Sequence, residues 1–395
     1  MHTISHQKAP KKQIFLLILL VLFSPLAIDI YLPALPEIAD SFQVDAALAQ
    51  DTISWFLFSM GIGQLFAGPL ADKLGRRTIA LIGISIYCLS ALLVWGAQSM
   101  QWMLLARLLQ GLGACATSVA AFAIVRDVFG AKGSGKMISY LNGAICCIPA
   151  LAPILGSFLT QSLGWRSNFS FMAGFAVVVG SLMWLSLKET NPATEKQAVF
   201  KWARYQAILT TPSFLFHASL CLIAMSVVLS YVTAAPVVLM TDYGLSMNSF
   251  TFWFSINAIV NIIACLIAPK MLDIFGSRYT LISGVVFLVL AGISLFCLTP
   301  LATAWAFMFP IFLSSIGFAW VLGSAAGVAL APFGDKAGTA AALLGVFQMS
   351  GSGIFVATLQ RLPFDAPYII ALHMLLIAPA IVILFSSHVK RWHQL

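Results

Sequence analysis

Two charged side chains inside the apolar runs of this 395-residue chain could do chemistry. Asp29 stands in the otherwise uncharged stretch from Ile14 to Pro36, the one carboxylate deep in any apolar run. A carboxylate there can take up and release a proton, with an affinity set by desolvation and by nearby positive charge. Arg107 stands in a second run, from Gln101 to Val125, with Gln110 one turn further on. A guanidinium in hydrocarbon is costly, so its presence reads as functional. It lies only about six residues into its run, roughly 9 Å, and could instead snorkel to the surface. A third constellation, Gly68-Pro69-Leu70-Ala71-Asp72-Lys73-Leu74-Gly75-Arg76-Arg77, sits where an apolar run ends. Asp72 lies at the negative end of its own helix, so it wants a loop arginine or another helix N-terminus as partner. Such a contact, with Asp127 as a further partner for Arg76, can close and open like a gate. The plainer alternative is a solvated turn whose charges only set topology.

What must position these groups follows from composition. The chain is 61% apolar and 9% charged, against roughly half and a quarter in soluble domains. It cannot cover itself with polar surface, so its solvent is lipid. Twelve runs reach the length of about 20 residues that crosses a bilayer core. They are read at 14–35, 49–70, 78–97, 101–125, 136–160, 166–187, 213–236, 248–269, 279–298, 303–331, 337–360 and 366–386. The tenth is long enough to be tilted or kinked. The first is too long for a cleavable signal peptide, and no small-x-small site follows it closely. The fold expected is an all-α membrane protein of twelve transmembrane helices, in two pseudo-symmetric bundles of six.

The net charge of +8 might suggest nucleic acid, but its distribution excludes that partner. With twelve spans, one side holds Lys8, Lys11, Lys12, Lys73, Arg76, Arg77, Arg126, Lys132, Lys136, Lys188, Lys196, Lys201, Arg204, Lys270, Arg278, Lys336, Lys390 and Arg391. The other side has only Arg166 and Arg361, and Arg107 is inside a span. The positive-inside rule then puts both termini in the cytoplasm. Contact with anionic membrane lipid is a secondary consequence. On this topology span one runs outward and span four inward. Asp29 and Arg107 both fall roughly 9 Å below the outer surface. Equal depth permits an ion pair if spans one and four are neighbours, and such a pair would exchange a proton as it parted and rejoined.

Asp72-x-x-Gly75-x-Arg77 after span two returns as Asp273-x-x-Gly276-x-Arg278 after span eight. Repetition at equivalent points of two six-span halves points to duplication. The division expected is 1–190, a cytoplasmic linker over 191–212, and 213–395. Two such halves with a site between them near the midplane are a transporter architecture. Tyr31, Gln110, Asn142, Met225, Tyr231, Asn257, Asn261, Phe318, Trp320 and Gln348 could line that site, since amphipathic and aromatic walls accept varied apolar solutes. For each residue alone, helix packing explains it as well. The seven cysteines lie in spans without metal-ligand spacing and read as small apolar residues. His217 and His373 lie near span ends or alone. No Ser-His-Asp set and no GxxxxGK[ST] string is present. Enzymatic chemistry, ATP hydrolysis and a cofactor are therefore not expected.

The Gly68–Arg77 segment resembles the cytoplasmic loop motif of the major facilitator superfamily. The string Arg107-Leu108-Leu109-Gln110-Gly111-Leu112-Gly113-Ala114 resembles that superfamily's fourth-helix motif, where an intramembrane arginine accompanies proton coupling. In span five, Asn142, Cys146, Pro149, Pro153 and Gly156 follow a helical period, with Gly143 beside them. That face is similar to the fifth-helix motif of exporters in the superfamily, except that Ala152 stands where glycine is usual. Asp29-Ile30-Tyr31-Leu32-Pro33-Ala34-Leu35-Pro36 is similar to the Bcr/CflA drug-exporter branch. The resemblance covers nearly the whole chain. It implies a proton-coupled antiporter of the bacterial inner membrane, functional as a monomer, that exports drug-like molecules such as chloramphenicol-type antibiotics. It implies Asp29 and Arg107 for coupling, the Asp72 and Asp273 motifs for the gate, and span five for antiport. A proton-coupled importer or a metabolite exporter of the same fold is the alternative.

Overall fold

The computed structural model describes residues 11–190, 202–386 and 391–393. Lys8, Lys196, Lys201, Lys390 and the first part of the expected linker lie outside them. Among the described residues the regular structure is helical throughout. Eleven helices are long and apolar enough to cross a membrane, and one of them, Met247–Leu301, has 55 residues. At 1.5 Å per residue it would reach roughly 80 Å, more than twice a bilayer core. It breaks at Gly276, whose φ of 74° and ψ of 168° are not helical, so it holds two spans and the total is twelve. They run Lys12–Phe42, Ala46–Leu74, Arg76–Trp95, Met100–Gly130, Tyr140–Leu163, Arg166–Ser186, Pro212–Asp242, 247–275, 277–298, Ala304–Leu330, Ala337–Leu359 and Ala366–Phe385. A short helix, Trp202–Leu209, precedes span seven. The end of the bundle that carries Lys12, Arg76, Arg126 and Arg278 is called the basic face below, and the opposite end the far face.

Local chemistry sets several boundaries. The Asp45 carboxylate accepts from the Leu48 amide at 2.8 Å and starts span two. Ser246 caps span eight through the Ser249 amide at 3.2 Å. Such caps satisfy amides that a helix leaves without internal partners. Span one is longer than expected and broken. Helix Phe23–Asp29 ends in a turn, residues 32–34 are 3₁₀, and α-helix resumes over Leu35–Phe42. Proline lacks an amide proton and its ring crowds the carbonyl four residues back. For Pro33 that carbonyl belongs to Asp29. The break therefore falls beside the one carboxylate deep in the chain's apolar runs.

Small residues let the helices approach closely, as packing in lipid requires. Gly83 and Gly113 join spans three and four, and Gly284 and Gly317 join spans nine and ten, in the same manner. Gly83 and Gly284 stand at the offset that separates Asp72 from Asp273. So do Gly75 and Gly276, which both adopt positive φ. The sequence repeat is thus also a repeat of packing. Span five meets span one at Gly156, where an added Cβ would lie 1.5 Å from the Ile30 carbonyl oxygen. Gly156→Val is expected to cost more than the ~1–3 kcal/mol usual for overpacking, because backbone cannot swing aside. Thermal unfolding in detergent should show a lowered midpoint, whereas Gly174→Ala, in open space, should leave it unchanged.

Spans two and eleven cross closely from the far face to about mid-depth. Ser350 donates to the Phe58 carbonyl at 2.6 Å, and Gly61 and Gly345 leave room for Ser350 and Gln64. Span eleven widens to π-helix over Val346–Gly351 at this crossing, a local change common at functional sites. Spans five and eight meet through Gln161 and Asn248 at 3.0 Å and through Ser255 and the Ala150 carbonyl at 3.1 Å. Toward the basic face, Gly68, Gly143, Gly327 and Gly338 face open space. The contacts between the halves named here thus lie from the far face to about mid-depth.

Candidate functional site

Arg107 is fully buried. Nε donates to the Thr52 carbonyl at 3.1 Å, Nη2 to the Ala27 carbonyl at 3.0 Å, and Nη1 to Gln110 Oε1 at 2.5 Å. The rings of Phe56 and Tyr31 lie 4.5 and 4.9 Å from the guanidinium carbon. Tyr31 is held in turn by Thr52 Oγ1 at 2.8 Å and by the Phe169 ring at 5.2 Å. Arg107 therefore does not snorkel. Its charge is met by carbonyl dipoles and π faces. Tyr31 and Gln110, expected on a cavity wall, are instead fully buried around it.

The expected Asp29–Arg107 ion pair is not formed. Spans one and four are neighbours and the depths agree, but depth carries no azimuth. Arg107 reaches Ala27, and two residues further on a helix turns by about 200°. Asp29 is buried and lies within electrostatic reach of Tyr231 of span seven. The Tyr231 ring stacks on Phe254 at 5.5 Å, and its buried hydroxyl lies beside Asn257. Asn257 Oδ1 accepts from Ser315 Oγ at 2.8 Å. A polar track thus leads from Asp29 through Tyr231 and Asn257 to Ser315, on spans one, seven, eight and ten.

Other expected wall residues are dispersed. Phe318 is buried, and Met225, Asn261 and Gln348 are half-buried. Gln348 sits against Cys221. Trp320 meets Phe287 of span nine edge to face at 5.2 Å; its ring lies between spans nine and ten, not beside Tyr231. Asn142 is exposed. The face read in span five divides: Gly156 packs on span one, Cys146 looks to span eight, and Gly143 meets open space. Pro149 and Pro153 both lie within this helix. His217 and His373 bond the carbonyls of Ser213 and Ile369, each at about one turn's distance, 2.7 and 2.8 Å. His393 of the tail meets His217 at 3.3 Å and Ser277 at 3.0 Å. Burial, with His217 and Arg278 alongside, pushes His393 down to about 4.

At the basic face Arg76 binds Asp72 and reaches Asp127 with Nε at 3.1 Å. Glu189, which sequence reading missed, accepts from the Arg76 and Arg77 amides at 2.8 and 3.2 Å. A carboxylate at a helix N-terminus complements its dipole, but Glu189 is 113 residues away from Arg76 in sequence, so only folding reveals the cap. Arg77 donates to the Trp184 carbonyl at 2.8 Å. Arg278 donates to the Leu384 carbonyl through Nε at 3.1 Å and Nη2 at 2.8 Å. The repeated arginine thus closes span six in one half and span twelve in the other. Arg76 has Ser277 as its counterpart, so the acid–base cluster belongs to the first six spans alone. Among the described residues it braces spans two, three and four. Asp273 makes no ion pair among the described residues.

At the far face Asp51, also missed, is buried and binds Arg361 while accepting from Gln360 Nε2 at 2.8 Å. Gln360 further reaches the Ala47 carbonyl at 3.3 Å. This latch joins span two to the end of span eleven. Asp51 sits so near the start of its run that position alone reads it as a surface residue. Arg361 is half exposed, so screening holds the pair near ~1 kcal/mol, roughly fivefold in population. Arg361→Gln is expected to raise labelling of a single cysteine at Met225 from the far face by about that factor. Unchanged labelling would deny the latch any part in closing this face.

Residues 17–356 match the family model described as Major Facilitator Superfamily. The chain is 31% identical to "Multidrug resistance protein MdtL" of Klebsiella pneumoniae over 337 residues, 85% of each chain. It is 34% identical to the protein of the same name in Escherichia coli, again over 85% of each. Among solved structures, a D-xylose-proton symporter superposes with a TM-score of 0.76 at 15% identity, covering 95% of this chain and 97% of that one. The nucleoside transporter NupG gives 0.74 at 14% identity, covering 95% and 99%. These structures and this chain share one overall fold. By sequence and by architecture, the chain belongs to the Major Facilitator Superfamily and is a membrane transporter rather than an enzyme.

Proposed function

We propose that this transporter is a secondary antiporter. It exports drug-like amphipathic molecules, chloramphenicol-type antibiotics among them, from the bacterial cytoplasm in exchange for protons. The basic face and both termini are cytoplasmic, and the protein works as a monomer in the inner membrane. Its working units are 1–190 and 213–395, joined by 191–212. The observation that carries the reading is Asp29. It is a buried carboxylate without an ion-pair partner, at a break in span one, within electrostatic reach of Tyr231 of the other half. A group so placed can exchange a proton when the halves part, and a solute entering beside Tyr231 and Asn257 competes with that proton. The names of the relatives support a drug-like substrate.

Everted membrane vesicles energised to be acidic inside test direction and coupling together. Accumulation of radiolabelled chloramphenicol inside them, collapsed by a protonophore, is expected. Substrate leaving such vesicles along with protons would identify an importer instead. The basic-face cluster is proposed to hold the cytoplasmic side in its closed state, Asp72 being its exposed member. Asp72→Asn should leave the amount of inserted protein unchanged, slow export several-fold, and alter cysteine labelling from the basic face. Unchanged export with unchanged labelling would reject the gate.

A further inference from the structure

Span five and span eight run antiparallel along the seam between the two halves. Gln161 and Asn248 meet toward the far face, and Ser255 and Ala150 near mid-depth. Further toward the basic face, Cys146 of span five and Cys265 of span eight lie close enough for their side chains to influence each other. Cys146, Ala150, Ser157 and Gln161 recur at the spacing of one helix face, so a single face of span five carries the whole seam. The Cys265 thiol also reaches Asn261 Oδ1 at 3.7 Å. Both thiols are partly exposed. Asn142, Gly143 and Cys147 beside them are exposed.

We propose that Cys146 and Cys265 are a redox-sensitive pair whose oxidation to a disulfide ties the two halves together. With hydrogen peroxide as oxidant, one thiolate attacks a peroxide oxygen, the O–O bond breaks, and hydroxide leaves, giving a sulfenic acid. The second thiolate attacks that sulfur, the S–S bond forms, and a second hydroxide leaves. The two protons lost by the thiols convert both hydroxides to water. Two electrons pass from sulfur to oxygen: two thiols and one peroxide become one disulfide and two waters. Cytosolic thiols reverse the bond by exchange, as expected of an intracellular redox sensor. A disulfide holds its two Cα atoms within about 7 Å, so the seam cannot part at this depth. Oxidation thereby slows any transport that requires the halves to move. This consequence rests on the exporter reading, whereas formation of the bond does not.

The test uses the full-length protein in liposomes, treated with hydrogen peroxide, alkylated, digested and mapped by mass spectrometry. A peptide pair linked through Cys146 and Cys265 is expected, released by dithiothreitol and still formed in Cys147→Ser. Export in the same liposomes should fall roughly tenfold, as for a carrier confined to one access state, and recover on reduction. Cys146→Ser and Cys265→Ser should export normally and resist peroxide. Absence of the linked pair from oxidised wild type, or linkage through Cys147 instead, would overturn the proposal. So would equal peroxide inhibition of the two serine variants, or full export by linked protein. If reduced wild type exports nothing, the transport reading fails, and the linked peptide still decides the thiol pair.

Discussion

Asp29→Asn is expected to fold and insert normally yet to lose export against a gradient. The amide is nearly isosteric with the carboxyl group, so the packing around Tyr231 survives, but it can no longer exchange a proton. Asp29 is buried, and burial makes the free energy of a carboxylate depend steeply on what surrounds it. On the proposed mechanism, opening and closing between the halves changes those surroundings. The break before Pro33 adds to this, since Asp29 closes the helix Phe23–Asp29, an unfavourable place for a negative charge. The measurement is substrate-induced proton release from purified protein in detergent, paired with accumulation in proteoliposomes. Wild type should release protons on adding substrate; Asp29→Asn should release none and only equilibrate substrate. If the variant releases protons as wild type does and still concentrates substrate, coupling lies elsewhere. Tyr231→Phe serves as a companion, since it removes the hydroxyl within electrostatic reach of Asp29 but keeps the ring on Phe254. It should weaken substrate affinity while leaving a proton on offer.

Arg107→Ala is expected to damage the protein more deeply, through stability as well as export. Its side chain satisfies the carbonyls of Thr52 and Ala27 and the amide oxygen of Gln110. Each buried acceptor left without a partner costs about 1–3 kcal/mol. Removal also empties the space between Tyr31 and Phe56. A loss of several kcal/mol is expected, read as a large drop in the unfolding midpoint in detergent. Arg107→Lys should rescue poorly, because one ammonium cannot reach three acceptors that a planar fork spans. Gln110→Leu removes a single partner and should cost only about 1 kcal/mol. A result in which Arg107→Ala unfolds like wild type, yet loses proton coupling, would return Arg107 to a direct role in coupling. The geometry points the other way: Arg107 holds span one through the Ala27 carbonyl, and Asp29 is the group proposed to exchange the proton.

Composition and the length of the apolar runs decided that this chain lives in lipid, how many times it crosses, and that it is built twice. These features depend on local chemistry. A span needs only enough consecutive apolar residues, and the Asp72 and Asp273 repeats report duplication wherever they sit in space. The break in span one was equally local, because Pro33 disables the carbonyl of Asp29 whatever surrounds it. Tertiary structure alone decided who meets whom. Asp29 and Arg107 share a depth, which counting residues can tell, but depth fixes one coordinate of a helix and leaves its rotation free. Rotation follows from packing, here from Gly156 against Ile30 and Tyr31 against Phe169. Glu189 on the amides of span three, Asp51 on Arg361, and Cys146 opposite Cys265 are likewise contacts between residues far apart in the chain. No periodicity carries them, since each depends on two helices meeting at one height and one azimuth, and only close packing of small residues in the folded bundle sets both.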